Sequence, residues 1–240
     1  MLLGLWLPAP WNDRPAAVDV IVHRDAGPPA TRSYSRRAEV RARRQMLLPD
    51  EIVSVHGLPV TSPARTWLDL AAALRGGDLL ALGDSVLRSG TSADEVGLLV
   101  ERARHRPGVV RARQVLPLLN GRARSRPESH LRWIIVAAGL PVPRVNEAIH
   151  DAGGGWMFEP DLSYDDVHLA LEYNGTFHRE DERMQRDITR TLDVEDRGGW
   201  RVVTFGKVQV FRRPDVVARR VRDLRVECAL LHSMSGPKLL

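Results

Sequence analysis

Apolar and polar positions alternate loosely in VDVIVHR (18–24) and again in EIVSVHGLPVTS (51–62), which is broken at Gly57 and Pro59. Alternation of this kind reads as short strands. From Pro63 the spacing becomes helical, with Trp67, Leu70, Ala71 and Leu74 falling on one face through Leu74. Asp78 to Leu87 predicts a second helix after Gly76-Gly77. Ser92 and Glu95 make a capping-box pattern ahead of VGLLVERARH, and Pro107 opens a further helix through Leu119. Four short helices in series predict a helical layer behind a few strands.

A polar, basic, glycine-bearing stretch, NGRARSR (120–126), interrupts this pattern and predicts a domain boundary. On that reading residues 1–120 form one module, 125–232 a second domain and 233–240 a tail. Ser125 and Glu128 repeat the capping pattern before SHLRWIIVAAGL, a helix ended by Gly139 and Pro141. VNEAIH (145–150) reads as a strand, and the DAGGG turn leads into WMFEPDLSY (156–164). The pair Asp165-Asp166 then joins that segment to VHLALEYN (167–174) as a hairpin. Asp181 to Glu195 carries Met184, Ile188 and Leu192 every four residues, an amphipathic helix. WRVVTF (200–205) follows Gly198-Gly199 as a strand, and Pro214 to about Leu231 closes the chain as a helix. The order α-β-β-β-α-β-α gives an α/β (α+β) class for the second half.

Composition narrows the class. A chain of 240 residues with 43% hydrophobic and 27% charged content can bury a core and is not disordered. Its single cysteine, Cys228, excludes a disulfide scaffold and suits a reducing compartment. No apolar run approaches the ~18–20 residues of a membrane span. The opening MLLGLWLPAP lacks the basic region and cleavage site of a signal peptide. The expectation is a soluble cytoplasmic protein with no membrane partner.

The net charge of +5 is almost all arginine, Lys207 and Lys238 being the only lysines among 35 basic residues. Arginine has GC-rich codons, so a GC-rich genome explains this excess, and composition alone does not show nucleic-acid binding. Distribution adds more. Residues 101–127 hold eight arginines against Glu101; residues 151–196 hold thirteen acids against four arginines; residues 197–225 are basic again. An acidic centre between basic flanks fits a metal site within a phosphate-binding surface, and it equally fits solvated helix faces.

Asp161 and Glu172 stand out inside segments otherwise fit for burial, beside Leu162 in one case and Leu169, Leu171 and Tyr173 in the other. A buried carboxylate needs a partner. Either the two share a hard divalent cation or each pairs with an arginine.

Certain residues carry a resemblance: Pro160-Asp161, Leu171-Glu172-Tyr173-Asn174-Gly175, His178, Arg186-Asp187-Ile188-Thr189-Arg190 and Gly199-Trp200-Arg201-Val202-Val203, with Glu128 in the leading helix. In this order, over about residues 125–225, they resemble the PD-(D/E)XK restriction-endonuclease-like nucleases, and among them the Vsr-like domains. The resemblance implies a restriction-endonuclease-like α-β-β-β-α-β core that hydrolyses DNA phosphodiesters with Mg²⁺ or Mn²⁺. Asp161 and Glu172 would hold the metal and Glu128 would support the site. Asn174 replaces the lysine usual two residues after the glutamate and cannot act as a base, so His178 is either the candidate acid or base or a surface turn histidine after Gly175. Arg183, Arg186 and Arg190 would reach DNA phosphates, or pair with neighbouring acids such as Asp187. Glu128 serves equally as a helix cap.

GLPVTSPARTWLDLA (57–71) and the helices after it resemble the region that precedes the nuclease-like domain in AbiEi-type antitoxins. A winged-helix module usually comes first there, so the opening residues read as the middle of a longer frame. Three functions follow. The leading one is a metal-dependent DNA endonuclease. The alternative is a non-catalytic DNA-binding regulator or antitoxin-like protein on a decayed nuclease scaffold. The third is a structural partner in a toxin–antitoxin or defence system, with the arginine-rich stretch 33–45 contacting an acidic protein.

Overall fold

In the computed structural model, which describes residues 3–8, 18–23, 39–151, 153–175 and 199–234, the first half of the chain gathers around Trp67. Strands β1 (Val18–His23) and β2 (Val40–Gln45) pair in parallel, from Val18 opposite Val40 to His23 opposite Gln45. Strands β3 (Ile52–Val55) and β4 (Leu58–Thr61) form a hairpin about His56 and Gly57, both at positive φ, the turn geometry that matches strand twist. Four helices follow: α1 (Pro63–Leu70), α2 (Gly76–Arg88), α3 (Ala93–Arg102) and α4 (Val109–Val115). The capping box predicted at α3 is present: Ser92 Oγ accepts from Glu95 N at 3.1 Å, and Ser92 N donates to Glu95 Oε2 at 2.7 Å.

Helical spacing places Trp67 and Leu68 against Leu79, Leu80 and Leu82 in a fully buried core. Trp67 Nε1 donates to Leu79 O at 3.0 Å, so the one polar atom of the ring is satisfied. Arg65, on the same helix, is also fully buried. Its guanidinium donates to Glu51 at 2.6 Å, to Asp69 at 3.0 Å and to the Gln45 amide oxygen, which moors the end of β2 to the helices.

The second half opens with α5 (Arg126–Ala137) and β5 (Arg144–Val145), then the paired strands β6 (Ile149–His150) and β7 (Trp156–Phe158). Strands β8 (Leu162–Tyr164), β9 (Leu169–Asn174) and β10 (Arg201–Gly206) precede α6 (Lys207–Arg212) and α7 (Pro214–Met234). One sheet runs in the order β10-β9-β8-β5, with β9 and β10 parallel and the other pairs antiparallel. Leu162, Leu169 and Leu171 on one face pack with Leu131 and Ile135 of α5 and Val217, Val221 and Leu224 of α7. Ala170 on the other face meets Ile149, Phe158 and Trp200. This is the expected mixed α/β class.

Several boundaries differ from the sequence reading. The strand expected over 145–150 divides at Asn146, whose φ of +46° breaks the extended chain. Val145 then pairs with Leu162, while Ile149 pairs with Phe158 in a separate hairpin. The strand expected over 156–164 divides near Pro160, which has no N–H for a ladder. Strand β2 and helix α6 were not expected at all. The helix expected over 181–195 lies outside the described residues.

Helices α2 and α5 pack closely across the polar stretch between them. Gly77 lies so near the His130 ring that a Cβ there would approach it to 2.6 Å, and Gly76 sits as tightly on Trp133.

Candidate functional site

Glu128, in the first turn of α5, is buried. Ser125 Oγ accepts from Glu128 N at 3.4 Å, but the returning half of the predicted capping box is absent. Instead Glu128 Oε2 reaches one residue further, accepting from Arg124 N at 2.8 Å and from Asn146 Nδ2 at 2.9 Å. Asn146 is buried too; its Nδ2 also donates to Arg122 O at 3.0 Å, and its N–H donates to Asp161 O at 3.0 Å. Asp161 follows Pro160 at the start of β8, and its Oδ2 accepts from Tyr173 N at 2.7 Å. A chain of polar contacts therefore ties α5, the end of β5, the start of β8 and β9 together.

Burial pushes the Asp161 carboxyl up to about 7, and the negative charges of Glu128 and Glu172 push the same way, against the Tyr173 N–H and the Arg124 guanidinium. Glu172 sits on β9 opposite Thr204, half-buried, on the same face as Ala170 by strand alternation. Asn174 ends β9, exposed and opposite Gly206. The structure thus brings Glu128, Asp161 and Glu172 into one electrostatic neighbourhood and leaves Asn174 at its rim. His178, Arg183, Arg186, Asp187 and Arg190 lie outside the described residues. Sequence reasoning missed Asn146 and the Tyr173 N–H, which with the Arg124 N–H donate to Glu128 and Asp161; an asparagine inside a strand-like segment was the one available signal.

A hard cation takes several free oxygens at once. Two of the candidate oxygens here are engaged by protein donors: Glu128 Oε2 accepts twice, and Asp161 Oδ2 accepts a backbone N–H. Among the described residues, no group of three or more His, Cys, Asp or Glu side chains is placed to hold a metal.

A second feature lies in the first half. Arg111 Nη1 donates to the carbonyls of Ala71 at 2.5 Å and Leu74 at 3.1 Å, placing positive charge where the chain leaves α1. Arg106 pairs with Asp69 at 3.2 Å and Arg102 with Asp50 at 2.9 Å. Arg41, Arg44, Arg75, Arg88, Arg104 and Arg113 are exposed and pair with no other described residue. No described helix is long and apolar enough to cross a membrane.

Comparison with known proteins bears on both features. Two uncharacterized proteins of Mycobacterium tuberculosis, from strains H37Rv and CDC 1551, are each 37% identical to this chain over 169 residues, 70% of its length. The chain spans 62% of the length of these relatives. No solved structure matches. The endonuclease, hydrolase and magnesium expectations are corrected here, because the family that does match is a different one and the carboxylates are already engaged by protein donors. Residues 6–118, covering β1 to α4, match the AbiEi antitoxin C-terminal domain family.

Proposed function

We propose that this protein is an antitoxin-like regulator that works by binding rather than by hydrolysis, and that duplex DNA is its ligand. The observation that carries this reading is the match of residues 6–118 to an antitoxin domain whose surface here bears arginines left without an acidic partner among the described residues. Such arginines are placed to neutralise phosphates, which supplies most of the sequence-independent affinity of a DNA-binding protein. The hydrogen bonds of the carboxylate cluster around Asp161 join one helix and three strands, which gives these side chains a structural role consistent with a binding protein.

The test is fluorescence anisotropy with a labelled duplex in EDTA across a salt series. Binding should survive EDTA and weaken steeply with salt, with a log–log slope of about −3 or steeper. Replacing Arg75, Arg88 and Arg113 together by glutamine should flatten the slope. Supercoiled plasmid incubated with Mg²⁺ should stay intact. Binding that appears only with Mg²⁺, or nicking abolished by Asp161→Ala, would overturn the reading.

A further inference from the structure

Between β2 and the helices runs a groove of about 270 Å³, lined by Arg43 and Met46 on one side, Leu68 and Asp69 of α1 below, and His105 and Pro107 of the turn after α3 on the other. Met46, Leu68 and Pro107 make part of its lining apolar, Arg43 and Arg106 bring positive charge, and the Asp69 carboxylate is held by Arg65 and Arg106. The strand forming one wall is unusual. β2 pairs only with β1 among the described residues, and no other described strand lies along its second edge. Arg41, Ala42, Arg43 and Arg44 are all exposed, so neither face of this strand is committed to a core. Its position is nevertheless held, because Arg65 grips Gln45, and Arg106 donates to the Met46 carbonyl at 3.4 Å.

We propose that this edge and groove form a docking site for an acidic, extended segment of a partner protein, which adds a strand alongside β2. The peptide backbone satisfies the open edge. Alternate carboxylates meet Arg41, Arg43 and His105, and an apolar side chain between them lies over Met46, Leu68 and Pro107. Among the described residues, the ion pair to be given up is Arg43 with Asp19, at 3.5 Å and half-exposed on both sides, which is a weak contact. A polypeptide suits this site better than nucleic acid does. A sugar–phosphate chain has no N–H groups to pair with a strand edge, and the Asp69 carboxylate in the lining would face its phosphates. The proposal goes beyond the DNA reading; it shares Arg41 with the exposed arginines named there, and the DNA test rests on Arg75, Arg88 and Arg113 instead.

The probe is a labelled peptide of about ten residues alternating glutamate and valine, measured by anisotropy against the full chain. It should bind saturably, and the variant Arg41→Gln/Arg43→Gln should bind it about tenfold more weakly. The same peptide N-methylated at alternate backbone nitrogens keeps its charge and loses strand pairing, so it should not bind. The variant lacking Arg75, Arg88 and Arg113 should bind the peptide normally while losing DNA, and an unlabelled duplex should not displace the peptide. Absence of peptide binding, equal binding of the N-methylated peptide, indifference to Arg41 and Arg43, or displacement by duplex would each overturn the proposal. None of these results bears on DNA binding through Arg75, Arg88 and Arg113, so the two readings fail separately.

Discussion

Arg132 of α5 places Nη2 at 2.7 and 2.6 Å from the two carboxylate oxygens of Asp84 in α2, and neither residue is more than 2% exposed. Ser129 Oγ donates to the same carboxylate at 2.6 Å and Asn120 N at 2.8 Å. This buried pair joins the helices on either side of the stretch 120–126. Removing one partner leaves the other charged and dry. Asp84→Asn and Arg132→Met should each cost about 3–5 kcal/mol in urea unfolding, while the double variant should cost clearly less than their sum. Additive losses would show that the two side chains do not act as a pair.

Asp161 gives the fold a pH dependence. Its carboxyl is pushed up to about 7 in the folded chain by burial and by Glu128 and Glu172, against an ordinary value near 3.8. Between those values the folded state holds the extra proton. Stability from this group is therefore present at about pH 4 and is lost as pH rises through 7. Asp161→Asn keeps an acceptor for the Tyr173 N–H and removes the charge. Unfolding in urea should find the variant more stable than the parent at pH 8, by up to about 4 kcal/mol, with the gap narrowing to about 1 kcal/mol at pH 4.5. A difference independent of pH would contradict this account.

Some of this was legible in the chain. Trp67, Leu70 and Leu74 carried helical spacing, and Ser92 with Glu95 announced a helix start, because both signals are local. Strand β2 was not legible, since alternation marks a strand only when one face is buried, and Arg41, Arg43 and Arg44 are all exposed. The two carboxylates Asp161 and Glu172 were visible as charges among leucines. What they do was not. Asp161 is held by an N–H twelve residues away, and Glu128 by an asparagine eighteen residues away in a conformation sequence spacing does not reveal. The buried Arg65, Asp84 and Arg132 were hidden for the same reason, Arg132 meeting its partner across 48 residues.

Gly108 separates α3 from α4 at a φ of +84°, and a Cβ there would fall 2.4 Å from Ala72 N and 2.5 Å from the Ala71 carbonyl carbon. Both atoms are backbone, so neither can swing aside. Gly108→Ala combines the left-handed penalty, about 1 kcal/mol, with displacement of the chain after α1, and should cost about 3 kcal/mol or more. Gly90 is the control. Its φ is +100°, yet a Cβ would meet nothing within 4 Å, so Gly90→Ala should cost only the conformational share. Equal losses for the two variants in urea unfolding would mean that α4 does not press its N-terminus onto the end of α1. A larger loss at Gly108 would place that contact at the centre of the helical half, where Arg111 also reaches back to the Ala71 and Leu74 carbonyls.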